Sequence, residues 1–108
     1  MKISILGAGS WGTALANVLA GKGEDARLWA RSEDVARDVN ERRLNSRYLP
    51  GQALSPGLRA DTDLPRVLSG TSCVVLAVPC QHLALFLREH RRHFPAGIGV
   101  VCASKGVE

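Results

Sequence analysis

The apolar positions change period several times along residues 1–108. Lys2 to Leu6 is a short β-branched run without alternation, which predicts a parallel strand covered on both faces. From Trp11 to Lys22 the spacing turns helical: Ala14, Leu15, Val18 and Leu19 share one face, Asn17 lies off it, and Gly21 or Gly23 supplies a C-cap. Ala26 to Ala30 predicts a second short strand that ends at Arg31. Ser32 is a natural N-cap. Glu33 and Asp34 follow it in the first helical turn, where they complement the helix dipole, and Glu33–Arg37 and Asp38–Arg42 are spaced as four-residue ion pairs. A solvated helix to about Leu44 is expected.

Asn45 to Gly57 carries two prolines and two glycines and reads as irregular, with "NSRYLPG" as a surface loop. Leu58 to Ala60 predicts a brief strand, and Thr62 caps a short helix to about Leu68 that tolerates Pro65 in its first turn. Cys73 to Val78 is the clearest buried strand, halted by Pro79. Gln81 to His93 places Leu83, Phe86 and Leu87 at helical spacing, and Ile98 to Ala103 forms a last apolar strand before Ser104-Lys105-Gly106. Strands alternating with helices imply a mostly parallel α/β sheet with flanking helices and right-handed crossovers.

Composition narrows the partners. With 108 residues, 45% of them hydrophobic, the chain supports one compact domain. The net charge of +4, from 14 Lys+Arg against 10 Asp+Glu, is mild and dispersed, and aromatics make up 5%. Neither feature suits a nucleic-acid binder, whereas small phosphate-bearing anions fit. Cys73, Cys80 and Cys102 form an odd set without C-x-x-C spacing, and two of them sit in apolar strand-like runs where a thiol behaves as a small hydrophobe. A reducing, cytoplasmic setting is expected. No apolar segment approaches the ~20 residues of a membrane span.

The candidate chemistry lies in "GAGSWG", residues 7–12. A cluster of glycines between a strand and a helix needs a physical reason, because glycine loses the most backbone entropy on folding. G-x-G-x-x-G supplies one: Gly7 makes the tight turn, Gly9 admits a pyrophosphate to the backbone, and Gly12 lets helix and strand pack closely. This is the signature of a Rossmann-type dinucleotide site, the helix N-terminus offering free N–H groups to the anion; a purely structural turn is the alternative. A P-loop would require G-K-[ST], and this chain has Gly12-Thr13-Ala14. An NAD-selective site places Asp or Glu at the tip of the second strand. Here the tip is Arg31, whose guanidinium suits adenine and a 2′-phosphate, so NADP is expected to bind at least as well as NAD. A methyltransferase-type loop would also want an acid there.

"GAGSWGTALA", "LWAR", "NSRYLPG", "LAVPCQ" and "ASKGVE", in this order and spacing, resemble the amino-terminal domain of bacterial NAD(P)-dependent glycerol-3-phosphate dehydrogenase across essentially the whole chain. The resemblance implies interconversion of sn-glycerol 3-phosphate and dihydroxyacetone phosphate, feeding phospholipid synthesis. It also implies cofactor contacts from Ser10, Trp11 and Arg31, and Lys105 between the cofactor and the phosphate substrate. Pro79 is expected to end its strand beside the nicotinamide ribose. Cys80 stands where the family more often has serine. The family's proton-transfer lysine and most of its substrate contacts belong to a helical carboxyl-terminal domain. Residues 1–108 are therefore expected to be the cofactor half, with no catalytic residue of its own and no turnover alone. Five strand candidates stand against the six of a full dinucleotide domain, so the crevice is expected to be incomplete, with an apolar face open to a homodimer partner. A stand-alone dinucleotide-binding module, or a piece of a ketopantoate-type reductase, is the alternative reading.

Overall fold

The computed structural model describes residues 1–78 and 80–103. Strands β1 (Lys2–Leu6), β2 (Asp25–Trp29), β3 (Arg59–Asp61), β4 (Cys73–Leu76) and β5 (Gly99–Cys102) form one sheet in the order β3-β2-β1-β4-β5. Every pairing is parallel. The order reverses direction after β1, whose two neighbours are β2 and β4. That switch point opens a crevice at the strands' carboxyl ends, where doubly wound sheets bind ligands. Register brings those ends level: Leu6 lies opposite both Trp29 and Leu76, and Leu76 opposite Cys102.

Helices α1 (Ser10–Gly21), α2 (Glu33–Arg37), α3 (Leu64–Leu68) and α4 (Cys80–His90) connect the strands. Alternation along β1 splits the core in two. Ile3 and Ile5 join Ala16 and Ala20 of α1 and Val35 and Ala36 of α2 on one face. Leu6 joins Leu64, Val67 and Leu68 of α3 and Phe86 of α4 on the other. β1 is therefore apolar on both sides, as its sequence predicts. Its buried polar member, Ser4, is satisfied: the hydroxyl lies 2.7 Å from the Val67 carbonyl and 2.8 Å from the Thr71 hydroxyl. In α4, Phe86 is buried and flanked by partly buried Leu83 and Leu87, as its spacing predicts. Among the described residues no helix is long and apolar enough to cross a membrane.

Several expectations shift. The buried stripe of α1 is Gly12, Thr13, Ala16 and Ala20, while Val18 is exposed. Small side chains let the helix lie close to the sheet, and the larger Leu15 and Leu19 pack beside that contact. The helix after Ser32 is solvated on one face only. Val35, Ala36 and Val39 are buried, and α2 passes into a π-helical turn over Asp38–Arg42 that ends with Arg43 at φ 58°. Asp38–Arg42 pairs as expected, at 3.4 Å. Arg37 instead meets Asp34 at 3.7 Å, and Glu33 accepts a hydrogen bond from the Thr62 hydroxyl. β3 begins one residue later than predicted, and Asp63 replaces Thr62 as the cap, its carboxylate accepting the Arg66 N–H. β4 ends at Leu76 rather than Val78. β5 is an edge strand with all four residues exposed, so Cys102 faces solvent rather than the core and Cys73 is half-buried.

Candidate functional site

The turn between β1 and α1 is held from three sides. Gly7 donates its N–H to the Trp29 carbonyl (3.1 Å) and adopts φ +121°, a conformation that strains any L residue. A Cβ at Gly7 would stand 2.8 Å from the Ala77 carbonyl oxygen, beyond the end of β4. A Cβ at Gly12 would stand 1.9 Å from the carbonyl oxygen of Gly7. Both positions are glycine because neighbouring backbone occupies the space.

Gly9 differs. Its backbone is extended (φ −72°, ψ −172°), open to any residue, and a Cβ there would meet nothing within 4 Å. Nothing in the protein requires a glycine at that place; the space beside it is open. Gly9 is also the N-cap of α1, which has no side-chain cap and no acidic residue in its first turn. Among the described residues the Gly9 N–H has no acceptor, and the positive end of the helix dipole lies beside that space. A phosphate group fits this donor set, and a methyl at residue 9 would fill the approach.

Asn45 is the residue that reasoning from the sequence missed. It belongs to the segment expected to be a surface loop, yet it is 1% exposed. Its side-chain amide donates to the Ala8 carbonyl (3.0 Å) and the Thr13 hydroxyl (2.8 Å), while its carbonyl accepts from Tyr48 N–H (3.2 Å). A polar side chain is buried because it is fully partnered. The one local signal was an asparagine opening a turn-rich stretch, which gives no hint of where the turn lands.

Ser10 is exposed at the start of α1. Trp11, 43% exposed, donates its indole N–H to the Ala103 carbonyl, tying α1 to the end of β5 at the carboxyl edge of the sheet. Arg31 stands exposed just past β2, and among the described residues it has no ion pair or side-chain hydrogen bond. The carboxylates around β2 are engaged elsewhere. Glu24 and Asp25 lie at its opposite end, where the Arg27 guanidinium, 2.7 Å away, holds the Asp25 carboxyl below its ordinary range. Asp61 ends β3, opposite Trp29, and Arg66 grips both its oxygens at 2.5 and 3.1 Å. Pro79 and Lys105 lie outside the described residues. The structure therefore gathers Gly7, Gly9, Ser10, Trp11 and Gly12 at the mouth of the switch point, with Arg31 at the tip of the adjacent strand.

This topology and glycine turn define a Rossmann-type domain of the dinucleotide-binding class. The family model described as NAD-dependent glycerol-3-phosphate dehydrogenase N-terminus matches residues 2–108, and the chain belongs to that family. It is 50% identical over 108 residues to a glycerol-3-phosphate dehydrogenase (NAD(P)+) of Nitratidesulfovibrio vulgaris, covering all of this chain and 33% of that protein. The crystal structure of glycerol-3-phosphate dehydrogenase from Coxiella burnetii superimposes with a TM-score of 0.88 at 36% identity, covering 97% of this chain and 32% of that one. The Saccharomyces cerevisiae enzyme gives 0.89 at 27% identity, covering 100% and 34%. The chain spans about a third of the length of the curated relatives it matches.

Proposed function

We propose that residues 1–108 are the NAD(P)-binding portion of a glycerol-3-phosphate dehydrogenase and carry no turnover by themselves. The observation that carries the reading is the open space at Gly9 beside the uncapped start of α1, in a turn where Gly7 and Gly12 are accounted for by close packing and Gly9 is not. When bound, the nicotinamide cofactor supplies or accepts the hydride that interconverts sn-glycerol 3-phosphate and dihydroxyacetone phosphate. The chain's own residues do the binding. The turn over residues 7–12 offers backbone N–H groups to the diphosphate, and Ser10 and Trp11 flank it. Arg31, without an ion pair or side-chain hydrogen bond among the described residues, offers a guanidinium to the adenosine and, in NADP, to its 2′-phosphate. For Pro79 and Lys105 the support is the family resemblance and their place in the sequence, shortly after the residues of β4 and β5. An odd set of cysteines, with Cys73 and Cys102 free, supports a cytoplasmic setting.

Titrating the chain with NADPH and NADH while following the emission of Trp11 and Trp29 tests this directly. Saturable changes with both, without oxidation of NADPH on adding dihydroxyacetone phosphate, are expected. A chain that is folded and inert to both coenzymes would refute the proposal.

A further inference from the structure

The Asn45 side chain does more than fill the core, because the atom it holds belongs to the glycine turn. Its amide orientation is dictated by its partners: the Ala8 carbonyl can only accept, and the Tyr48 N–H can only donate. The Ala8 carbonyl and the Gly9 N–H share one planar trans peptide, so they point in opposite directions. Drawing the carbonyl inward onto buried Asn45 therefore aims the Gly9 N–H outward. Among the described residues that N–H has no acceptor, and it lies at the one glycine of the motif with open space beside it. The second amide hydrogen reaches the Thr13 hydroxyl, and the Thr13 N–H closes the first helical hydrogen bond onto the Gly9 carbonyl at 3.0 Å, so the residue that anchors Asn45 also begins the helix.

We propose that Asn45 is a positioning residue for the cofactor: by holding the Ala8 carbonyl it presents the Gly9 N–H to the diphosphate. This rests on the cofactor reading above. It also couples the segment after the π-helical turn to the phosphate site, since Tyr48 N–H and Leu49 N–H (2.8 Å) close onto the same asparagine.

Asn45→Asp keeps size and the acceptor for Tyr48 but sets an acceptor against the Ala8 carbonyl. NADPH affinity of the 108-residue chain should fall roughly 10- to 100-fold, the scale of one lost charge-assisted hydrogen bond. In ¹⁵N-resolved spectra the Gly9 amide should be among the resonances most shifted by NADPH in wild type, and unmoved in the variant. Ser4→Ala, which damages a buried hydrogen bond on the α3 face, should lower the urea midpoint while leaving affinity within about twofold; a purely structural role for Asn45 would make the two variants behave alike. Asn45→Asp that folds and binds NADPH as wild type does overturns the proposal, as does wild type that binds while its Gly9 amide stays still. The second result decides the matter even if Asn45→Asp fails to fold. Wild type that binds neither NADPH nor NADH overturns the cofactor reading itself, and this proposal with it.

Discussion

Adding one methyl at Gly9 and one at Gly12 should separate ligand binding from folding. At Gly12 the new Cβ would lie 1.9 Å from the Gly7 carbonyl oxygen, whereas real Cβ contacts essentially never fall below 3.0 Å. Backbone must move by about an ångström in the tightest part of the turn. Overpacking of this kind typically costs about 1–3 kcal/mol, and a rigid backbone neighbour on the far side puts Gly12→Ala at or above the upper end. At Gly9 the methyl meets nothing within 4 Å, and φ −72° is an ordinary value for alanine. Restricting the unfolded chain stabilises by roughly 0.4–1 kcal/mol. Alanine is a poorer N-cap than glycine by a similar amount, so the net change in stability should stay within about 1 kcal/mol. On the proposed cofactor reading, the same methyl stands where the diphosphate approaches the N–H groups. Losing even one charge-assisted bond of about 1.5–3 kcal/mol weakens binding at least tenfold. Urea unfolding followed by far-UV circular dichroism and NADPH titration by tryptophan emission measure the two effects on each variant. Gly9→Ala that binds NADPH with unchanged affinity, or that loses as much stability as Gly12→Ala, would refute the assignment of that space.

Arg31→Asp should reverse the coenzyme preference toward NADH; the ratio of NADPH to NADH dissociation constants checks it, and an unchanged ratio removes Arg31 from the 2′-phosphate site. The hydrogen bond from the Arg66 guanidinium holds the Asp61 carboxyl below its ordinary 3.8, partly offset by desolvation. A carboxyl depressed in the folded state stabilises above the unfolded value and loses that contribution as pH falls through it toward the folded one. Asp61→Asn should therefore be slightly less stable than wild type at neutral pH, with the gap closing below about pH 4; urea midpoints measured from pH 7 to pH 3 follow it. Phe86 is buried and packs at a tilt of 52° against Trp29 with ring centroids 5.4 Å apart, so Phe86→Ala should cost about 3 kcal/mol, read from urea midpoints, and red-shift Trp29 emission in the folded state as water reaches the indole.

Much of the architecture was legible in the order of residues because its causes are local. Short strand-like runs with apolar residues at both alternations, such as Val74-Val75-Leu76, require cover on both faces, and glycine placed between strand and helix requires a turn. Ser32 caps α2 through its own side chain, which accepts the Asp34 N–H at 3.2 Å, so a short sequence window predicted it. Where a competitor arose from elsewhere in the chain, local reading failed. Glu33 was expected to meet Arg37, yet Thr62, 29 residues away, provides a partner at 3.0 Å. The inner face of α1 is made of small residues, and hydrophobic periodicity weighs size and apolarity, so it pointed to Val18 instead.

The sequence alone determined that three glycines had to stand at a strand–helix junction and that Arg31, not an acid, follows the second strand. The motif assigns Gly12 to packing and Gly9 to the ligand; only the tertiary structure decided which atoms enforce that division. That distinction depends on atoms from distant residues, the Ala77 carbonyl at Gly7 and the empty side of Gly9. It likewise brought Asn45, 37 residues from Ala8, under the turn and buried it there. A hydrogen bond across such a distance has no local signature, because its partners meet only after the sheet has folded.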